Sequence, residues 1–379
     1  MKIRHITFFI FLCSSSAFSQ TNDNDIVRNG LIIDSLIINA QLKDSVSKYY
    51  KYVYKAENAY MKKNYKKAAA YYEKAFPYIQ HPFSGDLFNA IECEQKSYYN
   101  IDNLKKYVYL LHLKWRSKED LYRHSRGLTA KDSIDIVKMI DTIKLKINTA
   151  ISDELELMVQ IDQTARFNVK YPLSKEDKKY LDSIDNMNYI KLIKLIDNNP
   201  IFTEDLIGVM AWGRNVNLLL MHNRSKLDVY IKLHPLVING QLDARIYSHG
   251  LDDSNYLIEN KYGCGERGGG HEVENWVINS SVYSYGINKE WENIINKYRK
   301  KLYLDDIETL HKKRIWTFRT GIRFYSMTTM TIKEVDFMKL IEESKYYDFK
   351  VKVYYKNKAD EKRLKALAKE YYKNNSVKL

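Results

Sequence analysis

Apolar residues recur at helical spacing over most of the chain, and this pattern predicts a mainly α-helical protein. In the segment 49–76, tyrosines and alanines fall on two helical faces, with Asn64 and Tyr65 at the break between them. Two antiparallel helices with small residues at their contact would result. The chain has only 5 Pro and 14 Gly in 379 residues, too few for a β-sandwich with a turn about every 8–12 residues.

Alternation with period two is found near the C-terminus. Residues 322–327 and 349–356 alternate apolar and polar side chains, whereas 332–347 and 359–374 have helical spacing. Because a helix-length crossover separates the two strands, they are expected to pair in parallel. The segment 317–379 is therefore predicted to form a small β-α-β-α element.

The N-terminal residues have the pattern of a secretory signal peptide. Lys2 and Arg4 precede an apolar run over 6–12, and small residues at 17 and 19 form a cleavage site. We therefore expect a signal peptide over 1–19 and an exported protein, periplasmic or secreted. Later apolar runs are shorter than the ~18–20 residues that span a bilayer, so we expect no membrane span after signal cleavage.

The chain is basic, with 61 Lys+Arg against 47 Asp+Glu and a formal net charge of +14. Such a charge could favour anionic partners. The lysines, however, form no dense run interleaved with a recognisable nucleic-acid module. A nucleic-acid partner is therefore not expected.

The segment 49–113 resembles tetratricopeptide-like helical repeats. Large and small signature positions of one repeat are occupied by Tyr52, Ala56, Tyr65, Ala68, Tyr72 and Ala75. The repeat length of about 34 residues leads from Ala56 to Ala90, inside a second, degenerate helix pair. The resemblance implies a helical domain over 20–150 with a concave surface.

Tyrosines of this helical domain could line a groove that binds a protein or peptide. They are Tyr49, Tyr50, Tyr54, Tyr60, Tyr71 and Tyr78. The alternative is that each is a packing residue whose hydroxyl reaches water or a polar group. The sequence leaves both interpretations open.

A helical domain over 151–316 carries polar residues in a defined order. The series is Asp162, Gln163, Arg166, Asp185, Asn188, His222, Asp252, Tyr262 and Arg314. In order and spacing it resembles a bacterial family catalogued as domain of unknown function 6624, over about 153–316, less than half the chain. The resemblance implies no established activity. Departures are Asp253 in place of an arginine, Cys264-Gly265 in place of Thr-Gln, and an apparent inserted loop near 266–300.

Some of these residues share helical faces. Asp162 and Arg166 are spaced i,i+4, Asp185 and Asn188 are spaced i,i+3, and His222 ends a further apolar helix. If the faces converge, the set could hold a divalent cation or perform general acid–base catalysis. The alternative is a polar clamp that only ties helices together.

Candidate roles follow from residue type. The catalytic candidates are Asp162, Asp185, His222 and Asp252; the ligand-binding candidates are Gln163, Arg166, Asn188, Tyr262 and Arg314. The segment 271–275 approaches the zinc-protease helix H-E-x-x-H, but Asn275 replaces the second histidine. The spacing G-x-G-x-x-G at 263–268 opens no apolar helix. We therefore assign no metal ligands, and the cofactor is unknown.

Two functions remain. The first is an exported binding or scaffolding protein that uses the tetratricopeptide-like groove. The second is a hydrolase-like or metal-binding enzyme with an Asp/His/Arg site in 151–316. Convergence of the carboxylates and the imidazole in one cleft would favour the second.

Overall fold

The computed structural model describes about three fifths of the chain. The described residues are 43–97, 100–114, 130–142, 146–170, 172–209, 211–223, 226, 228–248, 275–278, 281–285, 289–320, 332–334 and 351–355. Within them the protein is mainly helical, as the hydrophobic pattern predicts. The predicted signal peptide and the predicted strand at 322–327 lie outside the described residues.

The N-terminal part consists of four helices, each packed against the next. They are α1 (Asp44–Met61), α2 (Tyr65–Ala75), α3 (Ser84–Ser97) and α4 (Ile101–His112). Asparagine side chains fix two of the starts: Asn64 accepts a hydrogen bond from the backbone N–H of Lys67 at 3.2 Å, and Asn100 caps α4 in the same way. The break predicted at Asn64 is therefore a helix cap.

The next helices carry the candidate site. They are α5 (Ala130–Thr142), α6 (Thr149–Asn168), α7 (Lys175–Asn198), α8 (Glu204–Ile207), a π-helical turn (Ala211–Val216), α9 (Asn217–His222) and α10 (Asp228–Ile238). Ser174 and Asp177 form a reciprocal capping box that starts α7. The helices α6 and α7 pack against each other and run antiparallel, because residues 158 and 166 of α6 meet 188 and 185 of α7.

The remaining described elements are two helices and a four-stranded sheet. They are β1 (Asn275–Ile278), β2 (Ser281–Tyr285), α11 (Lys289–Lys301), α12 (Ile307–Thr320), β3 (Ile332–Glu334) and β4 (Val351–Tyr355). The strand order is β3-β1-β2-β4. The β1 strand pairs antiparallel with β2 and parallel with β3, and β2 pairs antiparallel with β4.

The predicted β-α-β-α element is not confirmed. The β4 strand lies where alternation predicted a strand, but its neighbour is β2, in antiparallel pairing. The β3 strand occupies the first positions of the helix predicted over 332–347. The reason is that β1 and β2, from the region interpreted as an inserted loop near 266–300, supply the sheet on which both strands pair.

One hydrophobic core contains residues from both sides of position 150. Ala56, Ala68, Ala75 and Ala90 have no exposed surface, so small side chains lie where helices approach most closely. Three of the tyrosines expected to line a groove, Tyr49, Tyr50 and Tyr60, are buried in this core. For these three the packing interpretation is correct. Tyr54, Tyr71 and Tyr78 are half-buried against the same core.

Arg245 lies at the centre of a buried charged network that the sequence did not predict. Its guanidinium donates two hydrogen bonds to Asp86 of α3, at 2.7 and 2.9 Å, and further bonds to Asp243 at 2.7–3.1 Å. A longer contact of 3.5 Å reaches Glu57 of α1. The hydroxyl of Tyr49 donates to Asp86 at 2.6 Å. The arginine therefore joins α1 and α3 to the segment that follows α10.

A second cation, Lys313 of α12, extends this network. Its ammonium pairs with Glu57 and with Asp305, the latter at 2.5 Å. Asp305 also accepts a hydrogen bond from Arg299 of α11 at 3.0 Å. All four side chains are close to fully buried. The C-terminal helices α11 and α12 are thus bound to the first helix of the described fold.

We expect the stability of the protein to fall as pH rises past neutrality because of Glu94 on α3. Burial raises the pKa of this carboxyl to about 7, and its Oε1 has no hydrogen-bond partner among the described residues. A raised carboxyl pKa gives stability that is complete below about pH 4.5 and is lost as pH rises through 7. Glu94→Gln should therefore match the parent near pH 5 and exceed it by ~1–2 kcal/mol at pH 8.

Chemical denaturation at several pH values measures this difference. Glu92→Gln is the matched control on the same helix, because Glu92 is partly exposed and pairs with Lys96 at 2.5 Å. Loss of this ion pair in Glu92→Gln should slightly destabilise the protein near neutral pH. A difference between Glu94→Gln and the parent that does not change with pH would contradict the prediction.

Candidate functional site

Three helices bring the central candidate residues together. Asp162 lies on the buried face of α6, Asp185 lies on α7, and His222 is the last residue of α9. Asp162 follows Leu155, Met158 and Val159 on that face, so helical periodicity turns its carboxylate towards the protein interior. Its side chain is only 1 % exposed.

Asp162 is the hub of the hydrogen bonds in the site. Its Oδ1 lies 2.9 Å from Nδ1 of His222, and its Oδ2 accepts a bond from Nε2 of Gln163 at 2.7 Å. Arg166, one turn further along α6, places Nε 3.4 Å from Asp162 Oδ2. The other end of the same guanidinium donates from Nη2 to Asp185. Arg166 therefore bridges the two carboxylates.

The contacts of His222 Nδ1 indicate where its proton lies. The Nε of Arg166 is 3.2 Å from Nδ1 and can only donate, whereas the carboxylate of Asp162 can only accept. One nitrogen cannot serve both contacts, and the contact with Asp162 is the shorter. We therefore place the proton on Nδ1, where it is donated to Asp162, which leaves Nε2 as the basic nitrogen.

The two carboxylates of the site have different acidities. Burial would raise the pKa of Asp162, but the hydrogen bond and charge of His222, together with Arg166, outweigh it, so this pKa is lowered. At Asp185 burial outweighs the attraction of Arg166, and the pKa is raised. Asp162 is therefore the stronger acid of the two and is the one that stays ionised. A carboxylate that accepts the hydrogen bond of a histidine base has to be ionised.

Two reactive atoms of the site have no hydrogen-bond partner in the part of the chain that the structure describes. No described residue is hydrogen-bonded to Nε2 of His222 or to Nη1 of Arg166. The side chains of His222 and Arg166 are 13 % and 25 % exposed. A basic nitrogen and a cationic N–H donor are thus held in one partly exposed site while their other atoms are fixed by carboxylates.

Asn188 lies one turn deeper between the same two helices. Its Nδ2 donates to the backbone carbonyl of Met158 at 3.4 Å. Its Oδ1 is fully buried and has no hydrogen-bond partner among the described residues. Asn188 therefore fixes α7 to α6. Its Oδ1 remains an acceptor without a partner among the described residues, one helical turn from Asp185.

Lys226 is a neighbour of the site that the sequence analysis missed. Its ammonium lies 4.1 Å from the ring centroid of Tyr189 and donates to Oδ1 of Asn186 at 2.9 Å. Burial lowers the pKa of this lysine, opposed by the charge of Asp185. Local spacing could have suggested only Tyr189, which follows Asp185 by one turn of α7, because Lys226 lies beyond the end of α9.

The other predicted site residues are not placed here by the structure. Asp252 and Tyr262 lie outside the described residues. Arg314 is on α12, next to Lys313, which contacts Glu57 of the buried charged network; the side chain of Arg314 is outside the description. The described site therefore consists of Asp162, Gln163, Arg166, Asp185 and His222, with Asn188 beneath them.

The site also has the composition of a metal centre. One ligand atom each from Asp162, Asp185 and His222 lies within 4.8 Å of the other two. Carboxylate oxygens with an imidazole nitrogen suit zinc and related divalent ions. Arg166, however, already supplies a cation between the two carboxylates.

Comparison with known proteins adds no family to this description. No family model, curated protein or solved structure matches the chain. The resemblance to domain of unknown function 6624 therefore stays a prediction. Among the described helices, none is both long and apolar enough to cross a membrane.

Proposed function

We propose that this protein is a hydrolase in which His222 is the general base, oriented by Asp162. The hydrogen bond of 2.9 Å between His222 Nδ1 and Asp162 Oδ1 carries the proposal. It fixes the tautomer that leaves Nε2 basic and stabilises the imidazolium formed when Nε2 takes a proton from water. Hydroxide delivered in this way would attack the substrate at the partly exposed face of the imidazole.

The charges of the site favour a neutral carbonyl substrate, such as an ester or amide. Asp162 and Asp185 would repel a phosphate dianion, and the single charge of Arg166 is shared between them. A carbonyl oxygen gains negative charge only as the water attacks. The Nη1 of Arg166, to which no described residue is hydrogen-bonded, would then stabilise the oxyanion. Protonated His222 would return its proton to the leaving group.

Export and family membership belong to the same proposal. The N-terminal pattern supports action outside the cytoplasm, in the periplasm or after secretion. The resemblance to domain of unknown function 6624 rests on the order and spacing of Asp162, Gln163, Arg166, Asp185 and His222 in the sequence. No cofactor is needed for the proposed proton transfers.

A second candidate function is protein binding through a tetratricopeptide-like helical stack. The observation that favours it is the exposed apolar surface of the helical part. Phe167 on α6 is 90 % exposed, and Leu157 and Ile190 are also exposed. The successive packing of α1 to α4 supports the repeat resemblance, but the buried Tyr49, Tyr50 and Tyr60 do not line a groove.

Hydrolysis of p-nitrophenyl acetate by the full chain tests the catalytic proposal. We expect the rate to fall by about 10²-fold or more in His222→Gln because the base is lost. Asp162→Asn should lower the rate while His222 remains in place, because the amide no longer selects the productive tautomer.

His81→Gln is the matched control, because His81 is an exposed histidine remote from the site in sequence and any accessible imidazole hydrolyses this ester slowly. We expect its rate to equal that of the parent. If His222→Gln and His81→Gln lose activity equally, or if neither loses any, the Asp162–His222 pair is not a catalytic base and the proposal fails.

A further inference from the structure

We propose that Asp162, Asp185 and His222 form a regulatory site for zinc-class divalent ions, which bind by displacing Arg166 and thereby inactivate the general base. The inhibition rests on the proposed hydrolase function, whereas the binding does not. The three side chains come from three different helices, so the set is held by the packed fold and not by one flexible loop.

The geometry of the donor atoms supports the metal site. The ligand atoms of Asp162, Asp185 and His222 lie within 4.8 Å of one another. Ligands on opposite sides of a zinc ion, each about 2.0–2.2 Å from it, lie within that range of each other. The three groups therefore need only small side-chain movements to bind one ion, and water would complete a tetrahedral site.

Arg166 is the competitor of the ion. Its guanidinium bridges Asp162 and Asp185, so it neutralises the two carboxylates that a divalent ion would require. The ion and the guanidinium repel each other at this distance, and both cannot occupy the site. The side chain of Arg166 is 25 % exposed and can turn towards solvent when an ion enters.

A change of the His222 tautomer accompanies the exchange. His222 Nδ1 donates its proton to Asp162 in the ion-free site, and a metal ligand must offer a lone pair. The ion therefore takes the place of the proton on Nδ1, and Nε2 gains a proton through solvent, so the imidazole stays neutral and Nε2 no longer has a lone pair with which to act as a base. Asp162 becomes a ligand, so it can no longer orient His222 as a base.

Asn188 is a second, independent sign of a ligand at this level of the helices. Its Oδ1 is fully buried and has no partner among the described residues, although its Nδ2 is bound to Met158. Natural proteins seldom leave a buried acceptor unused. Asn188 follows Asp185 by three residues on α7, which places this acceptor on the same face of the helix as the proposed ligand.

Titration of the full chain with Zn²⁺ alone, followed by calorimetry, tests the site. We expect one saturable site that binds one ion per chain. Arg166→Gln should bind Zn²⁺ at least ~10-fold more tightly because the competing charge is gone. Asp185→Asn should bind at least ~10-fold more weakly because a ligand is lost.

Asp197→Asn is the matched control on α7, because Asp197 is an exposed carboxylate paired only with Lys232 among the described residues. Its affinity for Zn²⁺ should equal that of the parent. Co²⁺ in place of Zn²⁺ should give visible absorption bands that Asp185→Asn loses, and circular dichroism confirms that each variant is folded.

The outcomes separate the two proposals. If Arg166→Gln binds no more tightly than the parent, or if Asp185→Asn and Asp197→Asn weaken binding equally, the regulatory site is refuted. Ester hydrolysis that depends on His222 but is unaffected by bound Zn²⁺ refutes the inhibition alone. Zinc binding with no His222-dependent hydrolysis refutes the hydrolase and leaves the metal site.

Discussion

Replacement of Arg245 by methionine is expected to destabilise the protein by ~3–5 kcal/mol, since it leaves buried carboxylates without their cation. Arg245 makes two hydrogen bonds to Asp86 and further bonds to Asp243. Methionine fills much of the volume but offers no donor. Denaturant unfolding monitored by circular dichroism measures the change in the free energy of unfolding.

The decrease in the free energy of unfolding caused by Arg245→Met should depend on pH. Burial raises the pKa of Asp86 to about 6 even beside Arg245, and removal of the cation raises it further. A carboxyl with a raised pKa favours folding below its unfolded pKa and loses that contribution as pH rises, so the variant should lose less stability near pH 5 than at pH 8. Arg245→Lys keeps the charge without the bidentate geometry and should lie between parent and methionine. A loss of stability that is the same at both pH values would contradict this account.

The second largest effect is expected from Gly240→Ala, with a loss of ~2–4 kcal/mol. Gly240 has a φ of 70°, which a residue with a Cβ adopts at a cost. An added Cβ would also lie 2.7 Å from Cγ2 of Val46 on α1 and 3.2 Å from Cγ2 of Ile79. Backbone strain and steric overlap therefore add at one position. Thermal or denaturant unfolding measures the loss.

Two companion variants identify the cause. Gly213→Ala places its Cβ where nothing lies within 4 Å and should change stability by less than ~0.5 kcal/mol. In a Val46→Ala background, Gly240→Ala should cost less than in the parent, because the shorter side chain removes the overlap. Equal costs in both backgrounds would assign the whole effect to the backbone.

The resemblance to domain of unknown function 6624 pointed to most of the described site, and local spacing placed some of its residues on shared helical faces. Asp162 and Arg166 lie one helical turn apart, and this spacing alone places them on one face of α6. Their meeting with Asp185 and His222 depends on how α6, α7 and α9 pack, which no local period determines. The sequence could therefore name these residues and state the condition of convergence, but it could not show that the condition is met.

The buried charged network could not be predicted for a related reason. Glu57 lies in a tyrosine-rich helix, and Arg245 and Lys313 lie in segments with no motif, so each resembles a surface charge by sequence. Only long-range packing places them together in the interior. The prediction of a helix from residue 332 was wrong because the pattern there is too short. The β3 strand has three residues, too few for alternation to distinguish it from the start of a helix.

The pairing of Glu57 with Lys313 has a consequence for biosynthesis. The two residues are 256 positions apart. At ~5–20 residues per second, a ribosome adds the second roughly 13–50 s after the first. During that interval the carboxylate of Glu57 on α1 lacks its partner Lys313, and the apolar faces of the early helices are not yet covered by α11 and α12. A chaperone that holds the nascent chain would act during this interval, and truncation before residue 313 should give an aggregation-prone chain, since the last cation of the network never arrives.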